Sequence, residues 1–157
     1  MKILIFSRKK LEAVSLKHFD EKTAVISISD YGTPPPALKN KPQFLLQLFF
    51  DDVDNDIFLD ELPKNITQEE QLEVSKKYHM FNDEDARDVS SFYHKYKDKT
   101  ETLICQCEHG QSRSAAIAAA ILEHRTKSGI KVFSNDLYFP NKVVFRKTLK
   151  ALKENSQ

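Results

Sequence analysis

Glycine is scarce in this chain, with three residues in 157. Neither the GxGxxG dinucleotide fingerprint nor the GxxxxGK[ST] phosphate loop is present, so the familiar glycine-rich nucleotide cradles are excluded. Cysteine is scarcer still: Cys105 and Cys107, two positions apart. That excludes a disulfide framework and leads us to expect a reducing, cytoplasmic setting. No apolar run approaches the roughly 18 residues of a membrane span. The opening MKILIFSRKK has only Ile3 to Phe6 as an apolar segment, too short for a secretory signal. Asn65-Ile66-Thr67 fits a glycosylation acceptor, and without such a signal it is expected to stay unused. Charge of one sign is lacking too. The formal net charge is +1, which gives no bulk electrostatic case for a nucleic-acid or membrane partner.

What is present reads as a soluble globular composition, 40% hydrophobic and 30% charged, long enough for one domain spanning residues 1–157. Ile3 to Phe6, TAVISIS (Thr23 to Ser29), FLLQLFF (Phe44 to Phe50) and ETLICQC (residues 101–107) are β-branched or apolar runs and predict strands. Residues 67–79 predict an exposed helix. NDEDARDVSSFYHKY predicts a helix capped by Asn82, with acidic residues in its first turn and Ala86, Val89, Tyr93 and Tyr96 on one face. RSAAIAAAILEHR has almost no polar face at its start and predicts a helix buried against a sheet. NKVVFRKTLKALK, capped by Asn141, predicts a closing helix near 141–153. Strands alternating with helices imply a single-domain α/β fold with a central, mostly parallel sheet flanked by helices.

The chemistry concentrates in LICQCEHGQSRSAAIAAAIL, residues 103–122. On this outline it is strand, loop, helix, with the loop at the carboxyl end of a strand, where open α/β sheets bind ligands. The first turn of the helix offers unpaired N–H groups and the positive end of the macrodipole, so anions are favoured there. Gly110 allows the loop to curl, and Arg113 brings a planar fork that pairs two phosphate oxygens at once. The same field favours the thiolate of Cys107. A nucleophile inside an anion cradle suggests attack on phosphorus through a cysteinyl-phosphate. Ser114 is placed to donate a hydrogen bond to the sulfur when it must leave.

Cys107, five residues, Arg113 and Ser114, with Gly110 third in the loop, resembles the active-site loop of the cysteine-based protein tyrosine phosphatase superfamily. The length and motif order resemble its dual-specificity branch, and more closely the small bacterial and phage tyrosine-phosphatase-like proteins. The fragments ISISDYGTPP, LFFDDVD, FNDEDARDVSSF and FPNKVVFRKTL carry weaker similarity, and together these stretches span most of the chain. The low-molecular-weight phosphatases and arsenate reductases carry this loop near the N-terminus, and the order here argues against them.

The resemblance implies a phosphate monoester hydrolase, without cofactor or metal, acting on a phosphorylated protein or another phosphomonoester. Cys107 would be the nucleophile. Arg113 and the backbone N–H groups of Glu108, His109, Gly110, Gln111, Ser112 and Arg113 itself would hold the phosphate. An aspartate on a separate loop would protonate the leaving oxygen. LFFDDVDND supplies it, with Asp52 best matching the family position and Asp51 and Asp54 as alternatives. The superfamily usually has histidine before the nucleophile; here it is Gln106, which implies altered tuning of the loop.

Other readings of the same residues are weaker. Cys105 shares a strand face with Cys107, so a redox partnership competes with a plain core role. Cys105, Cys107 and His109 are too tightly spaced for a usual zinc site. Asp52, Asp54 and Asp56 mimic the start of a calcium loop, but Ile57 stands where glycine is required and Pro63 where the closing glutamate belongs. Asp52 as the nucleophile of a magnesium-dependent aspartate phosphatase would leave the Cys107 loop unexplained. A catalytically silent phosphate-binding module would use the same loop. His79, His94 and His124 read as structural or surface residues.

Overall fold

The computed structural model describes residues 1–54 and 62–156. Asp56 and Ile57 of the calcium-like stretch lie outside the described residues. In chain order the elements are β1 (Lys2–Ser7), α1 (Arg8–Val14), β2 (Thr23–Ser29), β3 (Phe44–Phe49), α2 (Gln68–Ser75), α3 (Asp83–Tyr96), β4 (Thr102–Cys107), α4 (Arg113–Thr126), α5 (Ile130–Phe133) and α6 (Lys142–Glu154). The strands form one parallel sheet in the order β1-β4-β2-β3. The mostly parallel α/β fold expected from the alternating pattern is the one observed.

Every residue of β2 is buried, as a central parallel strand covered on both faces requires. Alternation divides the strands cleanly. Ala24, Ile26, Ile28, Leu103, Cys105 and Cys107 face a core shared with α3, α4 and α6. Val25 and Ile104 face the other way, onto Phe6 and onto Leu11 of α1. Register sets Cys105 opposite Ile5 on one side and Ile26 on the other, and Cys107 opposite Ser7. The carboxyl ends of β1, β4 and β2 therefore lie side by side.

α4 is buried continuously from Arg113 to Ile121. Its alanines are strong helix formers and let its axis approach the sheet closely. Capping fixes the helix starts. Asn82 and Asp85 form a reciprocal capping box on α3, and Thr67 and Glu70 form another on α2. α2 ends at Ser75, four residues short of the expected 79. α1 was not foreshadowed by periodicity, because Leu11 is its one buried residue; Ser7 starts it by accepting from the N–H of Lys10 at 3.1 Å.

Candidate active site

β4 ends at Cys107 and α4 begins at Arg113, so five residues make the whole connection. Gly110 turns it with φ +67°. A side chain there is barred on a second ground: a Cβ would sit 2.8 Å from the Phe6 carbonyl carbon and 2.8 Å from the Ser7 nitrogen. The loop is thus pressed against the end of β1. The Glu108 carbonyl accepts from Arg8 N at 3.1 Å, Gln111 O from Phe139 N at 2.8 Å, and Ser112 O from Asn141 N at 3.3 Å. A trans peptide points its N–H opposite to its carbonyl. Tying these three carbonyls outward therefore turns the N–H groups of His109, Ser112 and Arg113 to the inside of the curl. They join the free first-turn N–H groups of α4 as a set of donors suited to an anion.

Cys107 is buried at the base of this curl. Its Sγ lies 3.0 Å from Ser114 Oγ. Cys105 is also a free thiol and fully buried; burial, with a smaller push from Cys107, drives its ionisation far above the ordinary cysteine range. It stays neutral, which suits a core role and leaves it a poor nucleophile.

Arg113 is buried although it opens a helix, where a cation is disfavoured. Two acceptors hold it, both on Nη1: Asp30 Oδ1 at 2.7 Å and the Phe50 carbonyl at 2.7 Å. Nε is buried and has no hydrogen-bond partner among the described residues. Nε and Nη2 lie on the edge of the guanidinium away from Nη1. That edge carries two parallel N–H groups, the geometry that pairs two phosphate oxygens.

The three aspartates after β3 take different roles. Asp51 accepts from the backbone N–H of His79 at 2.8 Å and of Tyr31 at 3.2 Å, so it knits two connections together. Asp54 accepts from Lys142 N at 3.3 Å, at the start of α6. Asp52 reaches the loop itself: Ser112 Oγ donates to its Oδ1 at 2.8 Å, and Asn141 Nδ2 donates to the same oxygen at 3.0 Å. Asp52 is exposed. Glu108 and His109 are exposed at the rim.

Gln106 points to the opposite face from Cys107 and is fully buried. Ser27 Oγ donates to its Oε1 at 2.5 Å, which bonds β2 to β4 directly behind the loop, while its Nε2 has no partner among the described residues. Two residues were not singled out as site residues by the sequence pattern. Asp30 looks like the end of a strand, and nothing local announces its arginine partner 83 positions away. Asn141 reads as a helix cap, and it does accept from Val144 N at 3.1 Å, yet its amide also holds Asp52. Among the described residues, no group of three or more His, Cys, Asp and Glu side chains is arranged to hold a metal ion. No described helix is long and apolar enough to cross a membrane.

No family model and no curated protein matches the sequence. Among solved structures, PTPMT1 is similar over 99% of this chain and 92% of its own, at 15% identity and a TM-score of 0.49. Human DUSP28 is similar over 98% of this chain and 93% of its own, at 13% identity and a TM-score of 0.47.

Proposed function

We propose that the protein is a cysteine-dependent phosphomonoesterase of the tyrosine and dual-specificity type, acting on phosphorylated protein. The observation that carries this reading is the state of Arg113. Nη1 is committed to Asp30 and Phe50, while the Nε edge is buried without a partner among the described residues, in the loop that holds Cys107. A buried donor of this kind costs free energy unless an acceptor satisfies it, and a phosphoryl oxygen is the acceptor that its charge and geometry suit.

In the proposed reaction the Cys107 thiolate attacks phosphorus and the P–O bond to the leaving group breaks. Asp52 gives its proton to the departing oxygen. Arg113 and the inward N–H groups take the charge on the three equatorial oxygens. In the second half Asp52 removes a proton from water, the water oxygen attacks phosphorus, and the P–S bond breaks. Ser114, 3.0 Å from the sulfur, stabilises the thiolate as it leaves. The proposed reaction calls on no cofactor, and two free thiols suit a reducing cytoplasmic setting.

The test is turnover of an aryl phosphate by wild type and Cys107→Ser, with and without chelator. Wild-type activity should survive chelator, be blocked by vanadate, and vanish in Cys107→Ser with phosphate affinity kept. Activity retained in Cys107→Ser would sink the mechanism. Loss with chelator and recovery with magnesium would move the reading to an aspartate-centred hydrolase. The exposed Asp52 carboxylate, already bonded to Ser112 and Asn141, gives a second reading some support: a phosphate-binding module without turnover. Phosphate binding with no detectable hydrolysis of any ester would favour it.

A further inference from the structure

We propose that Asp30 is a positioning residue that sets the guanidinium of Arg113 for the reaction, and that it does so at a cost to phosphate affinity. This rests on the phosphatase reading and adds a residue to it.

A guanidinium in the first turn of a helix has reason to swing outward. The helix dipole repels it and water solvates it. Arg113 instead is buried, and its Nη1 has exhausted both hydrogens on Asp30 and on the Phe50 carbonyl. With Nη1 fixed, the planar group has one orientation left, and the Nε–Nη2 edge is set by default.

The anchor is itself rigid. Asp30 begins a turn closed by Thr33 N donating to the Asp30 carbonyl at 3.1 Å, with Thr33 Oγ1 donating to the same oxygen at 2.7 Å. Gly32 makes this turn possible with φ +81°. The neighbouring Tyr31 N–H is held by Asp51, and Phe50 N donates to Ser29 O at 3.0 Å. The Asp30 carboxylate and the Phe50 carbonyl therefore arrive from adjacent, cross-linked strand ends as a two-pronged clamp.

The clamp has an electrostatic consequence. Asp30 is half exposed and lies within one guanidinium of the place where a dianionic phosphate would bind. Like charges repel at this range. Asp30 should therefore weaken ground-state binding while improving transition-state alignment. Opposite signs on binding and turnover distinguish positioning from simple structural support.

The experiment uses the full chain with Asp30→Asn, which keeps the shape and an acceptor oxygen, and Asp30→Ala, which keeps neither. Asp30→Glu serves as the conservative rescue. kcat should fall roughly 10- to 100-fold in Asp30→Asn, up to the cost of misplacing a catalytic group by about 1 Å, and further in Asp30→Ala. Asp30→Glu should recover part of it. Inhibition by inorganic phosphate should be tighter in Asp30→Asn, and an unchanged value overturns the cost to affinity. The loss should be equal for an activated aryl phosphate and a phosphotyrosine peptide. The Arg113 Nε–H signal in nitrogen–proton NMR, assigned by its absence in Arg113→Lys, should be sharp in wild type and broadened in Asp30→Asn. A kcat within twofold of wild type overturns the proposal. So does a loss confined to the poorer leaving group, because Asp30 would then be a proton donor. A parallel fall of kcat and phosphate affinity also overturns it. If wild type hydrolyses no ester, the phosphatase reading fails separately, and an unchanged Arg113 signal in Asp30→Asn then overturns the positioning role on its own.

Discussion

Gly110→Ala separates two penalties that usually come mixed, because the chain carries its own control. Gly110 and Gly32 both have positive φ, at +67° and +81°. A Cβ added at Gly32 meets nothing within 4 Å. A Cβ added at Gly110 lies 2.8 Å from backbone atoms of both Phe6 and Ser7. Gly32→Ala should therefore show the conformational cost alone, roughly 1–2 kcal/mol for a left-handed L-residue. Gly110→Ala adds a contact well inside the ~3.5–4.0 Å optimum for carbon pairs. Its neighbour is strand backbone that cannot rotate aside, so overpacking of about 1–3 kcal/mol is expected on top. The total, about 2–5 kcal/mol, is a large part of a typical domain's stability of about 5–15 kcal/mol. The cheaper response is for the loop to lift off β1. That moves the N–H donors by the order of an ångström and should lower turnover about 100-fold. Denaturant midpoints at constant m-value, together with aryl phosphate turnover, read both terms. Equal destabilisation of the two variants, with Gly110→Ala turning over near the wild-type rate, would refute the claim that the loop is shaped by its contact with β1.

Three further outcomes are expected. Asp52→Asn should lose about 10²–10⁴-fold on a phosphotyrosine peptide and far less on an activated aryl phosphate, because a proton donor matters most for a poor leaving group; the same pattern in Asp54→Asn would move the acid by two residues. An alkylating agent near neutral pH should label Cys107, with phosphate protecting it, and leave Cys105 untouched, since burial keeps that thiol neutral; labelling of Cys105 in the folded protein, read by peptide mass, would contradict its assignment to the core. Burial first, then His94 and the surrounding Lys127, Lys97 and Lys153, hold His124 below its ordinary range. The unfolded chain then takes up that proton first, near pH 6.5. The contribution to stability is complete above that value and is lost as pH falls through the lower folded value. The Tm of wild type should therefore drop more between pH 7.5 and 5 than that of His124→Gln; equal drops would remove the assigned cause.

The elements that could be read from the sequence are those whose neighbours impose a period. β2 is mostly apolar, and buried along its length, because both its faces are covered, and α4 is largely apolar through its first turns because it lies between the sheet and α6. α1 escaped because a helix that buries only Leu11 has no stripe to display. Ser7 is a fair cap signal there, but RKK offers no acidic first turn to support it. α2 was legible at its start, where Thr67 and Glu70 form the capping box, and not at its end, where Lys76 caps it without a glycine.

The same contrast governs the site. Cys107, Gly110, Arg113 and Ser114 lie close together in sequence on one strand–loop–helix unit, so their association is legible locally even though contact with β1 completes the loop's shape. The aspartates are different, because their ranking depends on which partner each meets across the fold. Asp51 and Asp52 are neighbours of identical chemistry, and local sequence alone leaves the choice between them open. In space the two meet different partners just past the end of β3. One carboxylate turns inward to the N–H groups of Tyr31 and His79, and the next turns outward to Ser112 and Asn141. Asp30 is harder still. Its partner lies 83 positions away, and the pairing exists because β4 is inserted beside β2, which sets the end of one strand against the helix that follows the other. A substitution that shifted β2 by one residue would flip Asp30 to the other face and strand the Arg113 charge in the interior. The order of the sheet is thus a condition for an ionised Arg113 to sit beside Cys107.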